Sequence, residues 1–312
     1  MKLLFFDDFR LGVLRGEAVV DVSQAVSDIP RVGPHDVING LIERFEAYRG
    51  RLEDAAASGP GVPVSRVKIR PPLPRPINID CIAENYLSQV TSSEPALINA
   101  FHKSPGAIIG DGDVMVLPDV PASNFEAEAE LGVVIGKGAF NVTAAQAMDH
   151  VFGYVNFIDG SAKGLLPAKH HHFQVKSRAT FAPIGPYLAT ADEIRDPHAV
   201  RVRLWVNGEL RQDFSTSGML YNIPRCIEWV SSIHPLEPGD ILATGTNHEG
   251  LVSLQDGDRL ELEADGLGRL HVSCRDDLKR TWPKETRLER LRRGLPARAE
   301  QLTGKYAKPP KD

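Results

Sequence analysis

Short apolar runs at residues 3–6, 12–14 and 18–22, each broken by charge or glycine, predict strands of a small sheet. Asp36 then caps a helical pattern in which Ile38, Leu41, Ile42, Phe45, Tyr48 and Leu52 share one face. Gly59-Pro60-Gly61-Val62-Pro63 ends that pattern, and a proline-rich link follows through Pro71, Pro72, Pro74 and Pro76. Residues 1–70 therefore read as a small N-terminal α/β domain.

From 71 to 278 the pattern is mostly strand, with a few short helices. Asn207-Gly208 lies between the runs 203–206 and 209–211, a hairpin signal because a type I′ turn needs positive φ at both central residues. Asp256-Gly257-Asp258 precedes a stretch in which Leu260 and Leu262 alternate with charge, and Asp265-Gly266 turns the chain toward 269–274. Thr143 caps one helical segment, and Asn222 caps another that carries Pro224 in its first turn. This is no regular βαβ alternation, so a doubly wound dinucleotide fold is disfavoured. The class expected is α+β, mostly β. Residues 279–312 form a tail that is helix-prone until Gly294 and Pro296.

Composition narrows the reading. The 312 residues are 42% apolar and 25% charged, which suits a folded chain of about two domains by the prior of roughly 150 residues each. No apolar stretch reaches the ~18 residues of a membrane span, and Asp7 and Asp8 end the apolar opening too early for a secretion signal. Three scattered cysteines, Cys81, Cys226 and Cys274, argue against a disulfide framework or a thiolate zinc site and suit a reducing cytoplasm. The net charge of −5 is uneven: from Lys279 onward there are 11 basic and 4 acidic residues, against 25 and 37 before it. The basic tail lacks interleaved aromatics, so a solvated or subunit-packing face is expected, with neither nucleic acid nor membrane as partner.

The most informative segment is residues 125–137, FEAEAELGVVIGK, which reads as a strand of period two followed by a β-branched run. Period two puts Glu126, Glu128 and Glu130 on one face, about 7 Å apart at ~3.3 Å per residue. One reading is an exposed edge strand with its polar face in water. The other is a hard divalent cation held by carboxylate oxygens, which needs a third acid nearby. Asp159, at the end of an apolar run, has the right chemistry; spacing alone does not choose it over Asp149 or Asp240.

The same residues resemble the fumarylacetoacetate hydrolase family. Glu128-Ala129-Glu130-Leu131-Gly132-Val133-Val134-Ile135-Gly136-Lys137 is similar to that family's metal-binding strand. The likeness continues in order through Cys81-Ile82-Ala83-Glu84-Asn85-Tyr86, Lys103-Ser104-Pro105, Val151-Phe152-Gly153-Tyr154 up to Asp159, and Lys176-Ser177. Leu204-Trp205-Val206-Asn207-Gly208, Leu236-Glu237-Pro238-Gly239-Asp240 and Thr244-Gly245-Thr246 complete it. The resemblance implies a mixed β-sheet roll as catalytic domain over 71–278, a homodimer, and Mg²⁺ or Mn²⁺ in the mouth of the roll. It implies Glu128, Glu130 and Asp159 as metal ligands, with Glu126 an outer neighbour. Lys176 matches a lysine aimed at the substrate, and Tyr86, Gly245 and Thr246 match substrate-binding positions. The implied chemistry starts from a small 2-oxo acid chelated to the ion, which acts as a Lewis acid on a developing enolate while Lys176 adds positive charge.

The chain also departs from the pattern. Hydrolytic members carry a histidine three positions after the tyrosine, where this chain has Gln89, and Ser92 stands where a partner glutamate often follows. Gln89 can orient a water or carbonyl by hydrogen bonding but cannot take its proton; Glu84 or Glu94 could supply a base. After Asp159 the run reads Gly160-Ser161-Ala162-Lys163-Gly164, without the family's usual arginine and aspartate. His170-His171-His172 reads as an exposed loop, and His102 and His248 as solvated histidines. The expected activity is metal-dependent C–C hydrolysis of a small 2-oxo or β-diketo acid. Decarboxylation or isomerisation/tautomerisation of a related oxo-dicarboxylic acid is the alternative that Gln89 favours, and a non-catalytic metal-containing binding protein is the other.

Overall fold

In the computed structural model, residues 1–90, 94–168 and 172–307 are described. The three apolar runs of the N-terminal segment form Lys2–Phe6 (β1), Arg10–Arg15 (β2) and Ala18–Asp21 (β3), and two short strands not expected from the pattern follow, Gly61–Pro63 (β4) and Ile69–Arg70 (β5). Then come Ile79–Ile82 (β6), Ala100–His102 (β7), Ile108–Ile109 (β8), Val114–Val116 (β9), Asn124–Ile135 (β10), Val151–Lys163 (β11) and Ala182–Thr190 (β12). Arg201–Val206 (β13), Glu209–Ser215 (β14), Ile241–Ala243 (β15), Arg259–Ala264 (β16) and Arg269–Arg275 (β17) complete the strands. The helices are Pro34–Glu43 (α1), Phe45–Ser58 (α2), Ala144–Ala147 (α3), His172–Lys176 (α4), Ile223–Ser231 (α5) and Arg287–Arg292 (α6). The fold is mostly β, as the pattern predicts, and its sheets are mixed, as the resemblance implies.

A twelve-stranded sheet runs β4-β3-β2-β1-β12-β11-β10-β15-β6-β7, with β5 also paired to β1 and β8 to β12. A five-stranded sheet runs β14-β13-β16-β17-β9. β10 is a central strand, antiparallel to β11 on one side and to β15 on the other, and all twelve of its residues are buried. That removes the exposed-edge reading of the acidic run. Phe125, Ala127, Ala129 and Leu131, on the face opposite the glutamates, join the apolar core with Val202, Leu204, Leu260 and Leu262 of the smaller sheet.

The N-terminal strands are hydrogen-bonded into the large sheet, where Lys2 and Leu3 pair with Ala189 and Leu188 of β12. Leu3, Phe5 and Leu41 share one apolar cluster with Val134, Phe152 and Phe157. The single long helix expected after Asp36 is two. Arg44 leaves the helical region at φ −120° and ψ 27°, and the next residue, Phe45, packs edge-on against Phe152 with ring centroids 4.9 Å apart. Asp36 itself lies inside the first turn, where its carboxylate accepts the Val32 and Gly33 N–H groups at 2.7 and 2.9 Å. The Asn207-Gly208 hairpin forms as expected, with φ of 55° and 82°.

The tail departs most from its expectation. Arg280 is fully buried, gripping Asp276 and donating to the Leu117, Pro118 and Val120 carbonyls. Thr286 caps α6, which brings Arg287 into the interior at 3% exposure. Part of the basic excess is therefore folded against buried acids of the body and its edge, Arg280 on Asp276 and Arg287 on Glu126, since a buried carboxylate needs a cationic partner.

Candidate metal centre

Period-two geometry on β10 sends Glu126, Glu128 and Glu130 to one side, and the antiparallel register places Asp159 of β11 directly opposite Glu128. Glu128, Glu130 and Asp159 are 4%, 2% and 1% exposed, and each offers a carboxylate oxygen within 4.8 Å of the others. Asp149 and Asp240, left open by spacing, are elsewhere. Asp149 is exposed on a 3-10 turn, and Asp240 is committed to the Asn78 and Glu237 backbone N–H groups at 2.7 and 2.9 Å.

Around this triad lies a ring of cations. Lys176, at the end of α4, bridges Asp159 and Glu128, the latter at 3.0 Å. Lys103, whose side chain has no solvent exposure, reaches Asp159 Oδ1 at 2.6 Å and the Gly160 carbonyl at 3.1 Å. Lys163 and Ser161 donate to Glu128 Oε1 at 2.6 and 2.9 Å. Glu126 is held apart by Arg287, whose Nε lies 2.9 Å from Oε1, and by Asn124 at 3.0 Å. It is thus an outer neighbour of the triad.

Electrostatics separates the three glutamates of β10. For Glu128, burial favours the neutral form, but Lys163 and Lys176 outweigh it and hold the carboxyl well below its ordinary range. Glu126 is lowered in the same way, its burial outweighed by Arg287 and Lys163. Burial lowers the ammonium of Lys176, yet Asp159 and Glu128 together raise it above the lysine range, so it stays charged. Glu130 goes the other way: burial, then Asp159 and Glu128, push it well above an ordinary carboxyl. Its one direct backbone partner is the Gly245 N–H at 2.7 Å. Glycine is required there, since φ is +87° and an added Cβ would sit 2.9 Å from Asn85 Cβ and 3.2 Å from the Ile82 carbonyl oxygen. Three buried, all-oxygen donors with one left electrostatically short of positive charge fit a hard divalent cation.

The triad lines a cavity of about 240 Å³ with Lys176, Gly245, Thr246 and His248 in its wall. Thr246 is buried and its hydroxyl accepts from Gln212 Nε2 at 2.8 Å, while Gln212 Oε1 accepts the Ala129 N–H at 3.1 Å. Tyr86 is buried outside the cavity lining, edge-on to Phe214 at 5.0 Å. Gln89 is exposed and also outside the lining; its backbone N–H meets Glu249 Oε1 at 3.1 Å, beside the 245–248 loop. Glu84, exposed and at a φ of +52°, does line the cavity, whereas Glu94 does not. A larger groove of about 550 Å³ beside α2 contains none of the metal-ligand groupings found among the described residues.

Several site residues were invisible to local pattern. His248, expected to be solvated, is 9% exposed and in the cavity wall, and burial pushes its imidazole down to about 4 against the pull of Glu128. Nothing in the residues around Lys103, Lys163 or Arg287 marks them as partners of the acidic strand. The available signal was charge balance, since four acids on a buried strand need cations. Within the His170-His171-His172 run, His170 and His171 lie outside the described residues, as does Ser92; His172 opens α4 and stacks on Phe101 at 4.9 Å.

The family model for the fumarylacetoacetate (FAA) hydrolase C-terminal domain matches residues 78–274. The chain belongs to the fumarylacetoacetate hydrolase family. A maleylpyruvate hydrolase of Aquipseudomonas alcaligenes is 30% identical over 291 residues, covering 88% of this chain and 99% of the relative. The oxaloacetate tautomerase YisK of Bacillus subtilis is 38% identical over 219 residues, covering 66% of this chain and 73% of the relative. The crystal structure of maleylpyruvate hydrolase from Sphingobium sp. SYK-6 in complex with manganese(II) ion and pyruvate superposes with a TM-score of 0.80 at 34% identity, covering 88% of this chain and 99% of that one. This chain is accordingly a metal-dependent enzyme of the fumarylacetoacetate hydrolase family, and its carboxylate triad fits a divalent metal. The non-catalytic alternative loses its ground, because the family and the relatives matched along most of the chain are enzymes.

Proposed function

We propose that the enzyme cleaves a C–C bond in a small acylpyruvate-type 2-oxo acid by hydrolysis, with Mg²⁺ or Mn²⁺ held by Glu128, Glu130 and Asp159. The observation that carries this reading is the convergence of three buried carboxylates beside one permanently charged lysine in a small cavity. A hard divalent ion in that position supplies Lewis acidity toward a 2-oxo acid's oxygens. Lys176 places an ammonium where negative charge grows on the substrate, in a site from which bulk water is largely excluded. Thr246, fixed by Gln212, and the Gly245 turn orient the substrate's oxygens. Glu84, exposed and in the cavity lining, takes a proton from water in this proposal. The hydrolytic reading is supported by likeness to maleylpyruvate hydrolases along 88% of the chain.

A second reading, tautomerisation or decarboxylation of an oxo-dicarboxylic acid, is favoured by Gln89, which has no basic nitrogen where hydrolytic members carry histidine. Gln89 borders the 245–248 loop through Glu249, and in this proposal it selects the reaction outcome rather than holding the ion. A homodimer and a cytoplasmic setting belong to the same proposal and rest on family likeness. Light scattering at twice the 34.2 kDa chain mass tests the dimer. Among the described residues no helix is long and apolar enough to cross a membrane.

The test is incubation with maleylpyruvate and related acylpyruvates, and separately with oxaloacetate, in the presence of Mg²⁺ or Mn²⁺. Pyruvate release that EDTA abolishes supports hydrolysis. A change in enol absorbance or CO₂ release from oxaloacetate, without pyruvate from any acylpyruvate, moves the assignment to the second reading. Silence across both substrate classes contradicts both.

A further inference from the structure

On the other side of the β6–β7 pair is a second cluster of donors. Asp80 of β6 and His102 of β7 are register partners, so their side chains share a face. His234, in the turn after α5, reaches the same point. His102 Nδ1 and His234 Nε2 lie 3.2 and 3.1 Å from the same oxygen, Asp80 Oδ1. One ligand atom from each of the three residues falls within 4.8 Å of the others. Asp80 is 3% exposed, and its second oxygen, Oδ2, is buried with no hydrogen-bond partner.

The tautomer of His234 follows from its other nitrogen. Nδ1 lies 2.8 Å from the Pro235 carbonyl, which can only accept, so Nδ1 carries the hydrogen. Nε2, 3.1 Å from Asp80 Oδ1, then carries either a second proton or, in the neutral ring, a lone pair that together with the carboxylate oxygen can hold a metal ion. A backbone carbonyl fixing the distal nitrogen is also how metal-ligating histidines are oriented. The spacing agrees: donors at ~2.0–2.1 Å from a tetrahedral ion stand about 3.3 Å apart.

The geometry points to a second divalent-cation site formed by Asp80, His102 and His234, taking a borderline ion of the Zn²⁺ or Co²⁺ class. Two imidazoles and one carboxylate suit such ions over Mg²⁺, which favours oxygen. The open side of His102, 61% exposed, leaves room for a water in the fourth position. Its place in the fold suggests the purpose. β7 is a three-residue strand at the end of the large sheet, and a short edge strand is weakly held by ladder bonds alone. The ion clips β7 to β6 and to the turn after α5. Lys103, the next residue, turns to the opposite face and holds Asp159, so this clip steadies a support of the catalytic triad without contributing to the triad itself.

The test measures Zn²⁺ and Co²⁺ bound by metal-stripped protein after desalting, in wild type, in the double variant His102→Ala/His234→Ala, and in Glu128→Gln/Glu130→Gln. Both histidines are at least partly exposed, so their removal leaves the fold intact, which far-UV circular dichroism checks. The histidine variant is expected to bind about one equivalent less than wild type, and Zn²⁺ to slow amide exchange at residues 100–103 in wild type only. The glutamate variant is expected to keep that equivalent, with cobalt absorption showing nitrogen ligation. The comparison of wild type with the histidine variant stands even if the glutamate variant does not fold. Equal uptake by wild type and histidine variant, with no zinc effect on exchange, overturns the proposal and leaves the cluster a protonated imidazolium–carboxylate contact. Loss of metal at the carboxylate triad alone would contradict the preceding functional reading and not this one.

Discussion

Glu128 and Asp159 are register partners across β10 and β11, and one ammonium, that of Lys176, touches both carboxylates. Sheet geometry therefore fixes the spacing of two acids from separate strands, and a lysine from a short helix bridges them. Lys176→Met removes the cation next to the reacting oxygens while leaving three acids to hold the ion. Turnover should fall about 10²–10³-fold, the scale for removing one electrostatic stabiliser from an active site. Metal content, measured by elemental analysis, should not fall. Turnover within a factor of about two of wild type would remove Lys176 from the chemistry.

In the proposed mechanism Glu84 takes the proton and Gln89 selects the outcome, and two variants test these roles separately. Glu84→Gln should lower hydrolytic turnover about 10²–10⁴-fold, the range for a general base, without weakening metal binding. Gln89→His should shift the ratio of hydrolysis to tautomerisation toward hydrolysis, read as pyruvate formed against enol absorbance, again at constant metal content. A loss of bound metal in either variant would contradict these roles.

Arg287 and Glu126 make a buried ion pair across 161 residues of sequence. Arg287→Met leaves the carboxylate buried and short of its main partner, which should destabilise the fold by about 3–5 kcal/mol in denaturant melts. Glu126→Leu combined with Arg287→Met should recover most of that loss, because the pair is costly to desolvate. A single variant that melts like wild type would show that the tail does not hold the acidic strand.

How far the sequence could be read depends on the range of each interaction. The period of β10 is local, so the shared face of Glu128 and Glu130 was legible, and the Asn207-Gly208 turn was legible for the same reason. The break at Arg44 was not, because the helical pattern continues through it and what ends the helix is the packing of Phe45 on Phe152. Neither the burial of His248 nor the pairing of Arg287 with Glu126 leaves a mark on neighbouring residues. Both follow from where distant segments meet on the sheet, and only the uneven charge between body and tail hinted at the second.

The seam between the N-terminal segment and the large sheet gives a pH dependence. Asp192 accepts from the Thr190 hydroxyl and from Arg49 of α2, and these contacts, the first the larger, hold its carboxyl below the ordinary value. A lowered folded-state pKa contributes stability above the unfolded value near 3.8, and that contribution is lost as pH falls through the folded value. Asp192→Asn should therefore cost up to about 1 kcal/mol at neutral pH, a small figure because the side chain is largely exposed and screened. The difference should vanish in strong acid. A gap between the two proteins that widens as pH falls would contradict the sign.

Crystals grown with Mn²⁺ and measured at the manganese absorption edge test the main claim most directly. The account predicts an anomalous peak between the carboxylates of Glu128, Glu130 and Asp159, with oxygen ligands and no peak there in Glu130→Gln. Clean difference density with those three side chains pointing apart and no peak among them would contradict it.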